Sequence, residues 1–187
     1  MTIKNVLVIH EISEKLFELP LENYILTFDD ALYSQYYYWP IINKINTKKI
    51  LFISPSLVYK SDIQRDQFSG THLQFPNCYE ALKLHKENNS SNYMTLKEIK
   101  SLDGVSLGAH SFHHFKTLNS KLFEKTSYIK KDTELLLNWF KNNLLKKPVF
   151  YAFPHYIEHD FQRIILKSYG FTKFFGKNDR LQVEKLL

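Results

Sequence analysis

The stretch Tyr24-Ile25-Leu26-Thr27-Phe28-Asp29-Asp30 is an apolar run of strand length that stops on two adjacent carboxylates. Short apolar runs bounded by polar or proline punctuation read as buried strands. The same form recurs on both sides of it. Val6-Leu7-Val8-Ile9 stops at His10, and Lys49-Ile50-Leu51-Phe52-Ile53 stops at Ser54-Pro55. Residues 105–108 lead into His110, residues 148–153 lead into Pro154-His155, and residues 171–175 form the last clear strand.

Helices are expected between these runs. Residues 32–46 are long enough for one, with a kink or late start at Pro40. Residues 95–102 open with a capping box, Thr95-x-x-Glu98. Residues 120–145 carry an apolar side made of Leu135, Leu136, Trp139, Phe140 and Leu144. A helix over 157–169 is stopped by Gly170. Residues 59–92 break the alternation. They are polar, contain Gly70, Pro76 and an Asn/Ser cluster at 88–92, and carry one short helix near 77–87. They read as an insertion between core elements and a candidate substrate lid.

Strands alternating with helices predict a parallel α/β fold in a single domain. In such folds ligands bind beyond the carboxyl ends of the strands. His10, Asp29-Asp30, His110 and Pro154-His155 all follow predicted strands, which is the layout of an active site.

The composition agrees with a globular domain. Of the 187 residues, 44% are hydrophobic and 24% charged, so disorder is excluded. Five glycines argue against glycine-rich phosphate loops. No apolar run approaches the roughly 20 residues of a membrane-spanning helix. The N-terminal run is cut by His10 and Glu11, too early for a signal peptide, so the chain is expected to be cytoplasmic. The single cysteine, Cys78, permits neither an internal disulfide nor a thiolate cluster; it reads as a passive thiol. Any metal site must use His and carboxylates. The net charge is +6, mostly from Lys, with Arg only at 65, 163 and 180. That pattern suits solubility or anionic small partners rather than nucleic acid.

Adjacent carboxylates at a strand end face different ways. Asp29 and Asp30 therefore suit either a metal ligand paired with a base, or a solvated turn or helix N-cap. His110-Ser111-Phe112-His113-His114 places His110 and His114 at i and i+4, on one side of a helical turn, with His113 facing elsewhere. Two His and one carboxylate are a three-ligand set for a divalent cation, with the second carboxylate left as base. The parts point to metal-assisted hydrolysis. Tyr33, Tyr36, Tyr37, Tyr38 and Trp39 suit either core packing or stacking on sugar rings.

Several of these motifs resemble, in order, those of the polysaccharide deacetylases with the NodB homology domain, of carbohydrate esterase family 4 type. Thr27-Phe28-Asp29-Asp30 is similar to the first motif and His110–His114 to the second. Tyr93–Lys100 leading to Gly108-Ala109-His110-Ser111 resembles the family's approach to the second motif. Tyr151-Ala152-Phe153-Pro154 looks like the FAYP form of the third motif. The opening strand with His10 resembles the poly-N-acetylglucosamine deacetylase branch. The matches run from about residue 5 to 176.

The resemblance implies one NodB-like domain over residues 1–187, a distorted (β/α)7 barrel, that removes N-acetyl groups from sugars of a cell-surface polysaccharide or its precursor. Asp29 would be the catalytic base. Asp30, His110 and His114 would hold one divalent metal ion, most expectedly zinc. Metal-bound water, deprotonated by Asp29, would attack the acetyl carbonyl. The backbone at Pro154-His155 would hold the oxyanion and the substrate. There are departures. Ala152 stands where the family often has a base-orienting Arg, and His155-Tyr156 replaces Tyr-Gly. No late Leu-x-His motif, the usual general acid, occurs before Leu187. His10 is the candidate acid, with His155 and His159 as further candidates; the other reading of His10 is a buried His at a strand end. The rival functions are an inactive glycan-binding relative and a hydrolase of a non-carbohydrate amide.

Overall fold

The computed structural model describes residues 5–116, 118–183 and 186; residues 1–4 of the stretch weighed as a signal peptide lie outside them. Seven strands, all parallel, form one sheet: β1 Asn5–Ile9, β2 Tyr24–Phe28, β3 Lys49–Ile53, β4 Ser106–Ala109, β5 Phe150–Ala152, β6 Lys173–Phe175 and β7 Leu181–Gln182. Their order is β6-β5-β4-β3-β2-β1-β7, curled into a half-barrel with β6 and β7 at its edges. The expected single-domain α/β fold is present.

β3 is buried along its whole length, and the last three residues of β1 and β2 are buried too. Burial on both faces is why these strands read as continuous apolar runs rather than alternating ones. Gly108 in β4 is required by close packing, because a Cβ there would meet the Phe52 ring at 2.6 Å.

The helices are α1 Tyr33–Tyr37, α2 Trp39–Ile42, α3 Cys78–Lys86, α4 Leu96–Ser101, α5 Leu122–Leu144 and α6 Gln162–Ser168. The break between α1 and α2 falls at Tyr38, two residues before Pro40. Both α3 and α4 start with complete capping boxes, Asn77 with Glu80 and Thr95 with Glu98. Two expectations are corrected. The helix expected over 157–169 is confined to Gln162–Ser168, because Pro154–Tyr156 forms a 3-10 turn and Phe161 adopts a left-handed backbone (φ 58°). Leu135 is 37% exposed; the buried face of α5 instead carries Ile129, Asp132, Thr133, Leu136 and Phe140. The connections β1–β2 and β6–β7 contain only 3-10 turns, so the barrel repeat is incomplete.

The aromatic run packs into the interior. Tyr36, Tyr37, Tyr38 and Trp39 are buried, and Phe68 and Phe75 from the 59–92 segment close over them. That segment is strapped down by polar anchors. Tyr33 Oη donates to the Asp66 carbonyl and Tyr37 Oη to the Thr71 carbonyl. The strongest anchor is Arg65, which meets Glu98 through Nε (2.8 Å) and Nη2 (2.7 Å), donates to the Ser91 and Tyr93 carbonyls, and lies 3.7 Å over the Tyr33 ring. Glu98 is fully buried, so removing its partner strands a charge out of water. Arg65→Ala is expected to lower unfolding free energy by about 3–5 kcal/mol in urea titration. A loss below about 1 kcal/mol would show that the strap is not anchored this way.

Candidate metal centre and catalytic site

Four strand ends build the site. Beyond β1 stands His10, beyond β2 Asp29 and Asp30, beyond β4 His110, and beyond β5 Pro154 and His155. The ladder extends into these residues: the Asp29 N–H bonds the Ile9 carbonyl and the His110 N–H bonds the Ile53 carbonyl. Buried Gln35 ties the first two ends together, donating from Nε2 to the carbonyls of His10 (2.6 Å) and Asp29 (2.7 Å). Thr27 Oγ1 bonds the Leu7 carbonyl, so the Thr of the motif joins β2 to β1.

Asp30 and Ala31 both take left-handed backbone, φ 72° and 56°. Non-glycine residues rarely adopt this, and it persists where surrounding structure enforces it. Here the turn is pinned by the Met94 N–H to the Ala31 carbonyl and by the Tyr33 N–H to the Asn92 carbonyl.

His110 and His114 do converge, but not on a helical turn. Residues 110–116 form an irregular loop in which Ser111 (φ 57°) and His114 (φ 51°) are left-handed. Buried Asp132 of α5 shapes that loop by accepting from the N–H groups of Phe112 (2.8 Å) and His113 (3.1 Å) and from the His113 ring (2.9 Å). His113 therefore faces away from the other two, as the spacing suggested. Ser54 Oγ donates to the His110 carbonyl at 2.6 Å.

The donor atoms of Asp30, His110 and His114 all lie within 4.8 Å of one another. Asp30 Oδ1 is 3.0 Å from His114 Nε2 and 3.4 Å from His110 Nε2. His110 Nδ1 donates to the Ala152 carbonyl at 2.9 Å, which leaves Nε2 as the lone-pair nitrogen facing Asp30. Asp30 Oδ1 is buried and makes no well-aligned hydrogen bond, its nearest donor being His114 Nε2 of the same cluster. Two imidazoles and a carboxylate, with one buried oxygen lacking a well-aligned hydrogen bond, fit a divalent cation.

Asp29 lies behind this cluster. Arg180 Nη1 reaches both its oxygens, at 2.6 and 2.8 Å, and Asp29 Oδ2 is 3.8 Å from His110 Nε2 and 4.0 Å from His10 Nε2. A guanidinium thus reaches Asp29 from just before β7, although position 152 is Ala. The sequence reading missed both Arg180 and β7, which is only two residues long. It also missed Asp132, although a charge on the buried face of α5 was a signal.

Electrostatics follow from this packing. Burial works to raise the Asp29 carboxyl, but the Arg180 charge, with His110 and His10, outweighs it and holds it below 3.8. Burial also opposes ionisation of Asp30, and His114 outweighs it in the same direction. His110 is pushed down to about 4 by burial, against the pull of Asp29 and Asp30. In His114 the pull of Asp30 exceeds the burial effect, and the imidazole is held above 6.5.

A cavity of about 550 Å³ opens over the cluster, lined by His10, Glu11, Asp30, His110, His114 and His155 together with the first turn of α3. The His155 ring lies 4.6 Å from that of His114, and burial pushes His155 down to about 4. Pro154 is buried and does not line the cavity. His159, a further candidate acid, stacks against Phe115 away from it. Cys78 lies in the cavity wall, where its N–H bonds Glu11 Oε2.

The sequence matches no protein-family model and no curated protein. Solved structures match in fold. IcaB from Ammonifex degensii is 17% identical with a TM-score of 0.60, covering 92% of this chain and 70% of that one. The chain shares its fold with this protein. The Streptococcus pyogenes deacetylase PplD in complex with acetate is 14% identical at TM-score 0.60, covering 90% of this chain and 80% of that one. A de-N-acetylase from Aggregatibacter actinomycetemcomitans is 13% identical at TM-score 0.60, covering 95% and 77%. No helix among the described residues is long and apolar enough to cross a membrane.

A cation bound by the cluster competes with the proton that Asp30 holds on His114. Because His114 is raised above 6.5 and His110 is already neutral, zinc affinity is expected to rise from pH 6 to pH 8 in a chelator-competition titration. A flat affinity over that range contradicts the assignment of His114 as a ligand.

Proposed function

We propose that the chain is a member of the polysaccharide deacetylase family, a single domain with the 59–92 segment inserted, and a metal-dependent hydrolase of N-acetyl groups on a sugar. The observation that carries this reading is the convergence of Asp30, His110 and His114 beside an Asp29 clamped by Arg180. The deacetylase names of the structural neighbours support it.

Asp30, His110 and His114 would hold the cation, and zinc suits the two-imidazole, one-carboxylate set. Bound there, it would supply Lewis-acid polarisation of the acetyl carbonyl and acidify a water. The chain's own residues supply the rest. Asp29 stays ionised because Arg180 outweighs its burial, so it is ready to take a proton from the attacking water. The paired contacts from the single nitrogen Nη1 also fix which way its oxygens face. His10, 4.0 Å from Asp29 Oδ2 and at the cavity wall, would give a proton to the departing amine. The backbone N–H of left-handed His155 (φ 52°), next after Pro154, would be offered to the developing oxyanion. Arg180 answers one of the two departures that favour an inactive, binding-only reading, because a cation beside Asp29 comes from just before β7; the absent late Leu-x-His motif is the other.

The test is acetate release from N-acetylated sugars by the zinc-loaded protein and its Asp29→Asn variant, with zinc content measured in both. The variant is expected to retain its metal and lose about 10²–10⁴-fold in rate. Wild-type protein that binds zinc stoichiometrically but releases no acetate from any N-acetylated sugar would overturn the reading.

A further inference from the structure

The cavity over the candidate metal centre does not end at His155. It continues into a second hollow of about 560 Å³ that shares Tyr79, Leu82, His114, Lys116 and His155 with the first. The added lining residues include Lys83 and Lys86 from the outer half of α3. With Lys116, three ammonium groups from two separate elements face one hollow. None of its lining residues among the described ones is acidic. None of the three lysines has a carboxylate within 4.0 Å among the described residues. Among the described residues, the acidic side chain on the adjoining wall besides Asp30 is Glu11, and it is engaged by the Cys78 N–H. The lysine field reaches the site itself: Lys116 and Lys86 both help hold the His155 imidazole down, and Lys86 acts on His114 in the same sense.

A hollow ringed by uncompensated positive charge is suited to an anion. The donors narrow the chemistry. Carboxylates are matched best by the planar fork of Arg, and this hollow contains none. Separate ammonium point charges suit the several oxygens of a phosphate, approached from different sides. We infer that the substrate is an N-acetylated sugar bearing a phosphate group, with the phosphate seated among Lys83, Lys86 and Lys116 while the acetamido group lies over Asp30, His110 and His114. The identity of the acetamido half rests on the hydrolase reading above; the phosphate half rests on the lysine hollow alone. α3 thereby has a role: its capping box and the Glu11–Cys78 bond fix the helix that presents two of the three lysines.

The test is calorimetric binding to zinc-loaded Asp29→Asn protein, with N-acetylglucosamine, its 1-phosphate and its 6-phosphate as probes. At least one phosphorylated sugar is expected to bind about tenfold or more tightly than the neutral sugar, with a preference that shrinks as salt is raised. Comparison of the two phosphates tells a glycosidic phosphate from a primary-alcohol phosphate. In the Lys86→Gln/Lys116→Gln double variant the preference is expected to fall towards one. Lys141→Gln, on α5 and outside the hollow, removes the same charge and is expected to keep it. Equal binding of neutral and phosphorylated sugars overturns the inference, as does a preference that the double variant retains. If wild type releases acetate but shows no phosphate preference, the inference falls and the hydrolase reading stands. If the phosphate preference and its lysine dependence appear without acetate release, the hydrolase reading falls and the anion site stands.

Discussion

Two carboxylates that are neighbours in sequence are both buried at the end of one strand, and both are kept ionised. That costs free energy unless each is compensated, because a buried unpaired charge is strongly destabilising. The two are compensated differently. Asp29 is neutralised by a permanent cation, Arg180, which reaches it from the edge strand β7. Asp30 is neutralised by His114, a group that can exchange its proton for a metal ion. The left-handed backbone at Asp30 and Ala31 is what separates the two environments by turning consecutive side chains to different partners.

The rest of the fold holds that arrangement in place. Parallel strands buried on both faces bring His10, Asp29 and His110 to one end, and side chains that were not part of any motif lock the loops. Gln35 joins the ends of β1 and β2, and Asp132 shapes the histidine loop from the long helix α5. Such groups hold the side chains of the candidate site in register from outside the cluster. The Arg65–Glu98 clip and the tyrosines of α1 hold the 59–92 segment against the body, so that α3 stands as a fixed wall of the cavity.

Much of this was legible in the sequence because strand burial and capping leave local marks. The apolar runs at 24–28 and 49–53 coincide with β2 and β3, and the capping box at α4 is visible as a residue pattern. Asp30 and His110 of the candidate metal cluster are legible because they sit beside strand ends. What was not legible is non-local. Arg180 acts on a residue 151 positions away, and a two-residue strand carries no periodicity. The histidine loop was misjudged as a helical turn because i, i+4 spacing suggests one. The geometry is set instead by hydrogen bonds to Asp132 and by two left-handed residues. The aromatic run at 33–39 had two readings, and only the packing of Phe68 and Phe75 over it decided for the interior.

The central claim is that Asp30, His110 and His114 together hold one divalent cation. X-ray absorption at the zinc edge of the reconstituted protein tests it most directly. Two imidazole nitrogens and carboxylate or water oxygens, at about 2.0–2.2 Å, are expected for one zinc per chain. Substituting His110 should remove one imidazole contribution from the spectrum. A zinc environment with no imidazole, or one that the substitution leaves unaltered, would contradict the account.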